Sequence, residues 1–226
     1  MPNIPVVTVD GPSGTGKGTL ATRLKNHLNW HLLDSGALYR SLGLAAVRSS
    51  IPLNNEEKLG ELAAELALRF EAEDNGVQVY LNNDDITHTI RTEEVGGYAS
   101  QVAAIPLVRE KLLQRQRDFR QLPGLVADGR DMGTVVFPDA VLKIYLTASP
   151  EERAQRRYKQ LKQKGISVTL ARLLDDICDR DQRDERRPVS PLRPAPDAIL
   201  LDTTSIDIDE VELTVLALMK ERGVVA

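Results

Sequence analysis

The stretch VVTVDGPSGTGKGT, residues 6–19, is where the fold of this chain is decided. Val6, Val7 and Val9 make a short β-branched run that reads as a buried strand, and Asp10-Gly11 end it. Gly11, Gly14, Gly16 and Lys17 follow at the spacing of a phosphate-binding loop. Such a loop wraps backbone N–H groups around a phosphate, adds a lysine, and runs into a helix whose N-terminal dipole favours anions. Leu20, Leu24 and Leu28 supply that helix with one apolar stripe, with Ala21 beside it. The competing reading is a glycine-rich turn without a ligand. Strand, glycines, lysine and helix all fall where the motif requires them, which argues against it. Gly18 is a departure: it stands where the common form has a magnesium-binding Ser or Thr, and Thr19 comes one residue later.

A chain of 226 residues can form one large domain, or a core with a small insert. Hydrophobic content of 42% and charged content of 27% fit a globular protein. A net charge of −4 excludes a general nucleic-acid binder. The lone cysteine, Cys178, rules out an internal disulfide or a cysteine zinc cluster and is expected at a buried or neutral helical position. His27, His31 and His88 lack metal-ligand spacing. No secretory leader or membrane-length apolar run is seen, so a reducing cytoplasm is the expected setting.

Downstream, a second strand is expected over 30–33 and a helix over 37–48 capped by Ser35. Strand-helix-strand-helix begins a parallel α/β sheet, whose carboxyl edge is where ligands bind. Tyr39 and Arg40 fall at that edge. Residues 54–91 change character: a helix over 56–70, an Asn75-Gly76 hairpin signal, then an extended piece near Ile86 and Ile90. Two helices follow, broken near Pro106. The second, 107–122, is densely basic and reads mostly as a solvated face, with Arg109 pointing elsewhere. Strands are expected over 125–128, 141–146 and 198–201, and a closing helix over 209–222. Asp128 ends the first of these as a candidate magnesium holder or a plain hydrogen-bond acceptor, with Arg130 and Asp131 just beyond. Polar helices over 150–164 and 169–187 carry arginines at helical spacing, the usual ingredients of a closing lid.

These parts suit phosphoryl transfer between polyanions, which needs in-line positioning, charge neutralisation and exclusion of water rather than a general base. DGPSGTGKGT, LLDSGALYR, VADGRDMGTVVFPDA and RDQRDERR occur in this order. In them the chain resembles the bacterial cytidylate kinases of the nucleoside monophosphate kinase superfamily, from the first strand to the last helix. The GKGT ending is similar to that of the superfamily, whose magnesium is held partly through water.

The resemblance implies an α/β phosphate-loop kinase: a central five-stranded parallel sheet flanked by helices, a small inserted monophosphate-binding subdomain with a β-hairpin, and a short lid. It divides the chain into a core of residues 1–53 and 92–226, a lid at about 150–187, and the insert 54–91. It implies that the stretch Gly11-Pro12-Ser13-Gly14-Thr15-Gly16-Lys17-Gly18-Thr19 binds the phosphates of ATP, with Lys17 bridging donor and acceptor, and that Asp128 and Thr19 serve Mg2+. Ser35, Arg109, Asp131 and Arg187 would read cytosine, Arg40 and Arg130 would grip the acceptor phosphate, and Tyr39, Ser100, Arg180 and Asp184 would lie near its sugar. Arg153 and Arg157 would be lid arginines over the transferring group. The implied activity is ATP-dependent phosphorylation of CMP and dCMP by a cytoplasmic monomer, with no nucleic-acid or membrane partner. A kinase for another small acceptor, a GTPase-like switch and an RNA-binding module each leave some of these residues unexplained.

Overall fold

The computed structural model describes residues 4–73, 76–163 and 165–224. Strand β1 (Val6–Asp10) is the middle of a five-stranded parallel sheet. The other strands are β2 (His31–Asp34), β6 (Leu125–Gly129), β7 (Leu142–Thr147) and β8 (Ile199–Asp202), in the order β2-β6-β1-β7-β8. Alternation along β1 sends Val6 to one face and Val7 and Val9 to the other. Helices α1 (Lys17–Leu28) and α8 (Ile208–Glu221) cover the second face through Leu20, Leu24, Val211 and Val215. Helices α2 (Ser35–Arg48), α4 (Glu93–Val102) and α5 (Pro106–Arg117) cover the first through Leu38, Leu42, Val102 and Leu112. Strands β1, β6 and β7, buried on both faces, are apolar apart from Thr8, Lys143 and their carboxyl ends, which is why they read so plainly.

Between α2 and α4 lie α3 (Glu56–Glu65) and an antiparallel sheet of β3 (Leu68–Glu73), β4 (Gly76–Leu81) and β5 (Asp84–Asp85). The helix expected over 56–70 therefore stops at Glu65. Leu68 and Phe70 alternate with Arg69 and Glu71 in a strand paired with β4, and Phe70 packs edge-on against Phe119 with ring centroids 5.5 Å apart. Helical spacing through Leu66 was a weaker signal than this pairing. Asn75 of the hairpin turn lies outside the described residues; the strands beside it pair as far as Glu73 and Gly76. The piece expected near Ile86 and Ile90 is the two-residue β5 followed by a 3-10 turn at Thr89–Arg91. Val79, Leu81, Ile86 and Ile90 share one core cluster with Leu42 and Leu112, so the insert has no core of its own.

Three further expectations change. The cap of α2 is Asp34, whose Oδ1 accepts from the Ala37 N–H at 2.8 Å, because Ser35 is turned inward. The basic helix α5 ends at Arg117, and its arginines are staples more than a solvated face. Arg115 donates to Leu68 O at 3.0 Å, Arg117 to Val136 O at 3.1 Å, and Arg120, just beyond the helix, to Ile4 O at 2.9 Å. Cys178 is exposed, because α7 (Leu170–Glu185) buries only a narrow stripe, Leu173 and Ile177, against α6 (Pro150–Gln163). Among the described residues no helix is long and apolar enough to cross a membrane.

Candidate active site

The carboxyl ends of β1, β2 and β6 bring Asp10, Asp34 and Asp128 to one edge, with Asp34 and Asp128 directly paired in register. The loop after β1 needs its glycines. Gly11 has φ +142°, and a Cβ there would sit 2.1 Å from Leu146 O; Gly16, at φ +93°, is the residue from which α1 starts. Lys17 Nζ donates to Pro12 O at 2.7 Å, and Thr15 Oγ1 to the same oxygen at 3.1 Å. Burial, reinforced by the Arg130 charge, pushes the Lys17 ammonium down to about 7. An anion beside it would restore its charge. A Cβ on Gly18 would lie 3.3 Å from Asp128 Oδ2, so a bulkier residue at that position would crowd the carboxylate.

A cavity of about 760 Å³ opens over this loop. Gly14, Gly16, Lys17, Gly18 and Thr19 line it, with Asp128 across from them. Gly11 and Thr15 are buried within the loop and are absent from the lining, as is Pro12; Ser13 borders it. The five expected catalytic side chains, Lys17, Arg40, Arg130, Arg153 and Arg157, all reach this cavity. Each arginine already has protein partners. Arg40 donates to Ile90 O at 2.7 Å and Thr92 O at 3.0 Å, and Arg130 to Asp184 at 3.0 Å. Arg157 pairs with Glu93. Arg153 is 2% exposed and spends its guanidinium on Ala148 O, Ser13 O and Asp181, bracing the phosphate loop against α7.

A smaller cavity of about 80 Å³ adjoins the first, and the two share Ser13, Gly36, Arg40, Arg130 and Arg180 as walls. Every expected substrate-side residue lines it. Ser35, Tyr39, Arg109 and Asp131 come from α2, α5 and the end of β6; Ser100 comes from α4; Arg180, Asp184 and Arg187 come from α7 and its end. Arg109 and Asp131 form a buried ion pair, and Arg109 also donates to Ala103 O at 3.1 Å. Such a pair is costly to break, because the partner left behind is an uncompensated buried charge. Around it Ser100 Oγ, Arg109 Nε and Arg187 Nη2 are buried without a hydrogen-bond partner among the described residues, and Tyr39 Oη lies beside Gln116. Burial pushes the Tyr39 phenol up to about 12, so it stays a donor. Unpartnered buried polar atoms are rare, and a cluster of them marks a ligand surface.

Among the described residues no group of three or more His, Cys, Asp or Glu side chains could cage a metal. Asp128, raised to about 6 chiefly by burial, and the exposed Thr19 face one cavity. One carboxylate and one hydroxyl suit a hard cation that takes its remaining oxygens from phosphates and water.

Sequence reasoning missed four residues here. Asp10 accepts from Met132 N and Gly133 N, both at 2.8 Å, and so fixes the π-helical turn Met132–Val136 that follows Asp131. Gln116, 1% exposed, accepts from Ser35 Oγ at 2.8 Å. Arg91 and Glu93 line the larger cavity, where Arg91 pairs with Asp34 at 2.8 Å. Asp10, at a strand end, was the one position with a local signal.

Residues 7–221 match the family model described as Cytidylate kinase. The chain is 58% identical over 223 residues to the Cytidylate kinase of Aeromonas salmonicida, covering 98% of this chain and 97% of that one. It is 58% identical over 217 residues to the Cytidylate kinase of Pectobacterium atrosepticum, covering 96% of each. Among solved structures, an uncharacterized protein from Eubacterium ventriosum superposes with a TM-score of 0.51 at 12% identity, over 97% of this chain and 99% of that one, a likeness of fold alone.

Proposed function

The chain belongs to the cytidylate kinase family, and from that premise we propose that it transfers the γ-phosphoryl group of ATP directly to the phosphate of CMP and of dCMP, as a cytoplasmic monomer. The observation that carries the reading is the wall shared by the two cavities: Arg40, Arg130 and Arg180 border both. A triphosphate cradled by residues 11–19 and a nucleotide seated in the smaller cavity would meet at those three guanidinium groups. The acceptor phosphate is largely dianionic at neutral pH (second pKa ~6), so it needs no base. What it needs is neutralisation of two approaching polyanions, and half-buried arginines supply that more strongly than fully solvated ones.

Base choice follows from Asp131. Arg109 engages its Oδ2, and we assign the other oxygen to the amino group of cytosine, with Arg109, Arg187 and Ser35 facing the ring acceptors. Uracil would set a carbonyl against that carboxylate, a buried mismatch of a type that costs about 10⁴-fold or more in specificity. Tyr39, Ser100 and Asp184 are assigned to the sugar side, Arg180, which borders both cavities, to the sugar and the phosphate beside it, and Arg153 and Arg157 to the donor side. Asp128 and Thr19 would hold Mg2+, which would supply charge neutralisation of the triphosphate. Residues 54–91 are read as the acceptor-side subdomain and about 150–187 as the lid; Val77 and Thr87 of the former line the larger cavity. The test is an ADP-release assay across CMP, dCMP, UMP and AMP, with and without a chelator. Turnover of UMP or AMP equal to that of CMP refutes the base assignment, and chelator-resistant turnover refutes the metal.

A further inference from the structure

Four consecutive carbonyls between the insert and α4 carry three arginines of the cavities. Ile90 O and Thr92 O accept from Arg40, Arg91 O accepts from Arg157 at 3.2 Å, and Glu93 O accepts from Arg180 at 2.9 Å. The Glu93 carboxylate closes the arrangement: Oε1 takes Arg157 Nε at 2.5 Å and Oε2 takes Arg180 Nη2 at 2.7 Å. One acidic side chain thus joins an arginine of α6 to an arginine of α7, and its backbone begins α4.

We infer that Glu93 is a positioning residue that holds Arg157 and Arg180 where a phosphate would, and releases them to the phosphate when nucleotide binds. The inference rests on the kinase reading above. Exposure supports the exchange: the side chains of Arg157, Glu93 and Arg180 are 25%, 30% and 12% exposed, so the pairs are partly wet and cheap to open. A phosphate offers three oxygens and close to two negative charges, against two oxygens and one charge on Glu93, so the guanidinium forks gain by the trade. Keeping both arginines paired in the free protein also spares them the search for a rotamer at the moment of binding. The cost is competition, since the carboxylate remains next to the incoming anion and repels it.

Glu93→Gln keeps the shape and removes the charge. Inorganic phosphate titrated into the ligand-free variant by calorimetry at low ionic strength should bind about fivefold to tenfold more tightly than to the wild type. KM for CMP should fall with it, and the change should sit in KM more than in kcat. A side chain with a purely structural role would not tighten anion binding. Glu93→Asp, which keeps the charge but is too short to bridge both arginines, should give a smaller gain and serves if the Gln variant does not fold. Phosphate binding that is unchanged or weaker in the variant that folds overturns the inference. If the wild type turns over no nucleoside monophosphate, the kinase reading fails, and the phosphate titration still decides the role of Glu93.

Discussion

Gly96 separates what helps α4 from what helps the site. A Cβ at Gly96 would lie 2.9 Å from Arg180 Nη1 and 2.9 Å from Arg40 Nη2, whereas a Cβ at the adjacent Gly97 meets nothing within 4 Å. Both glycines are interior to α4, so Gly→Ala at either should raise helix stability by about 0.5–1 kcal/mol. In a chain of this size that is roughly 1–4 °C in Tm. Ordinary contact needs about 3.5 Å or more, so in Gly96→Ala the two guanidinium groups must retreat by roughly 0.5–1 Å. They are the ends of flexible side chains, so the fold tolerates the shift, but misplacing phosphate-binding groups by about 1 Å can cost up to about 10²-fold in rate. The expected result is two variants equally or more heat-stable than the wild type, with kcat/KM for CMP down about 10- to 100-fold in Gly96→Ala and near wild type in Gly97→Ala. Thermal melts and a coupled ADP-release assay measure both. Wild-type kinetics in Gly96→Ala, or equal losses in the two variants, would refute the assignment of Arg40 and Arg180 to the acceptor.

Asp131→Ala removes the base reader and strands Arg109, 7% exposed, without its carboxylate. Denaturant titration should show a loss of about 3–5 kcal/mol, and the surviving folded protein should lose its preference for CMP over UMP while still binding ATP; retained preference places the reader elsewhere. Asp10 gives a pH signature. Burial raises its carboxyl from 3.8 to about 7 against the pull of two backbone N–H bonds, so the folded state holds a proton that the unfolded state releases. Stability from this group is therefore greatest below about pH 4 and falls as pH rises towards 7, by roughly 4 kcal/mol at most. Unfolding free energies of the wild type and Asp10→Asn between pH 4 and 8 should diverge by an amount of that order, moving against the wild type; a pH-independent gap would show that Asp10 is ionised throughout.

The parts of the fold that were legible share a local cause. The loop after β1 is written in glycines because its geometry is imposed by neighbours in sequence, and the buried parallel strands β1, β6 and β7 are mostly apolar. The end of α3 was misread because Leu66 and Phe70 satisfy a helical period and a strand alternation at once, and pairing with β4 decides between them. Ser35 and Asp34 are both good caps; Gln116, 81 residues away, drew the serine inward and left the cap to the aspartate. Cys178 falls at the border of the apolar stripe Leu173, Leu174 and Ile177, so helical spacing left its side open and packing against α6 decided it.

By itself, the order of residues determined a phosphate loop, a parallel sheet and a set of arginines and carboxylates at its edge, since spacing along strand and helix is enough for those. It also carried, through resemblance, the family. The tertiary structure decided which charge meets which. Arg109 finds Asp131 across 22 residues, Arg157 and Arg180 find Glu93 across 64 and 87, and Arg153 finds Asp181 across 28. Such pairs leave no periodic trace, because an ion pair constrains distance in space and says nothing about separation along the chain.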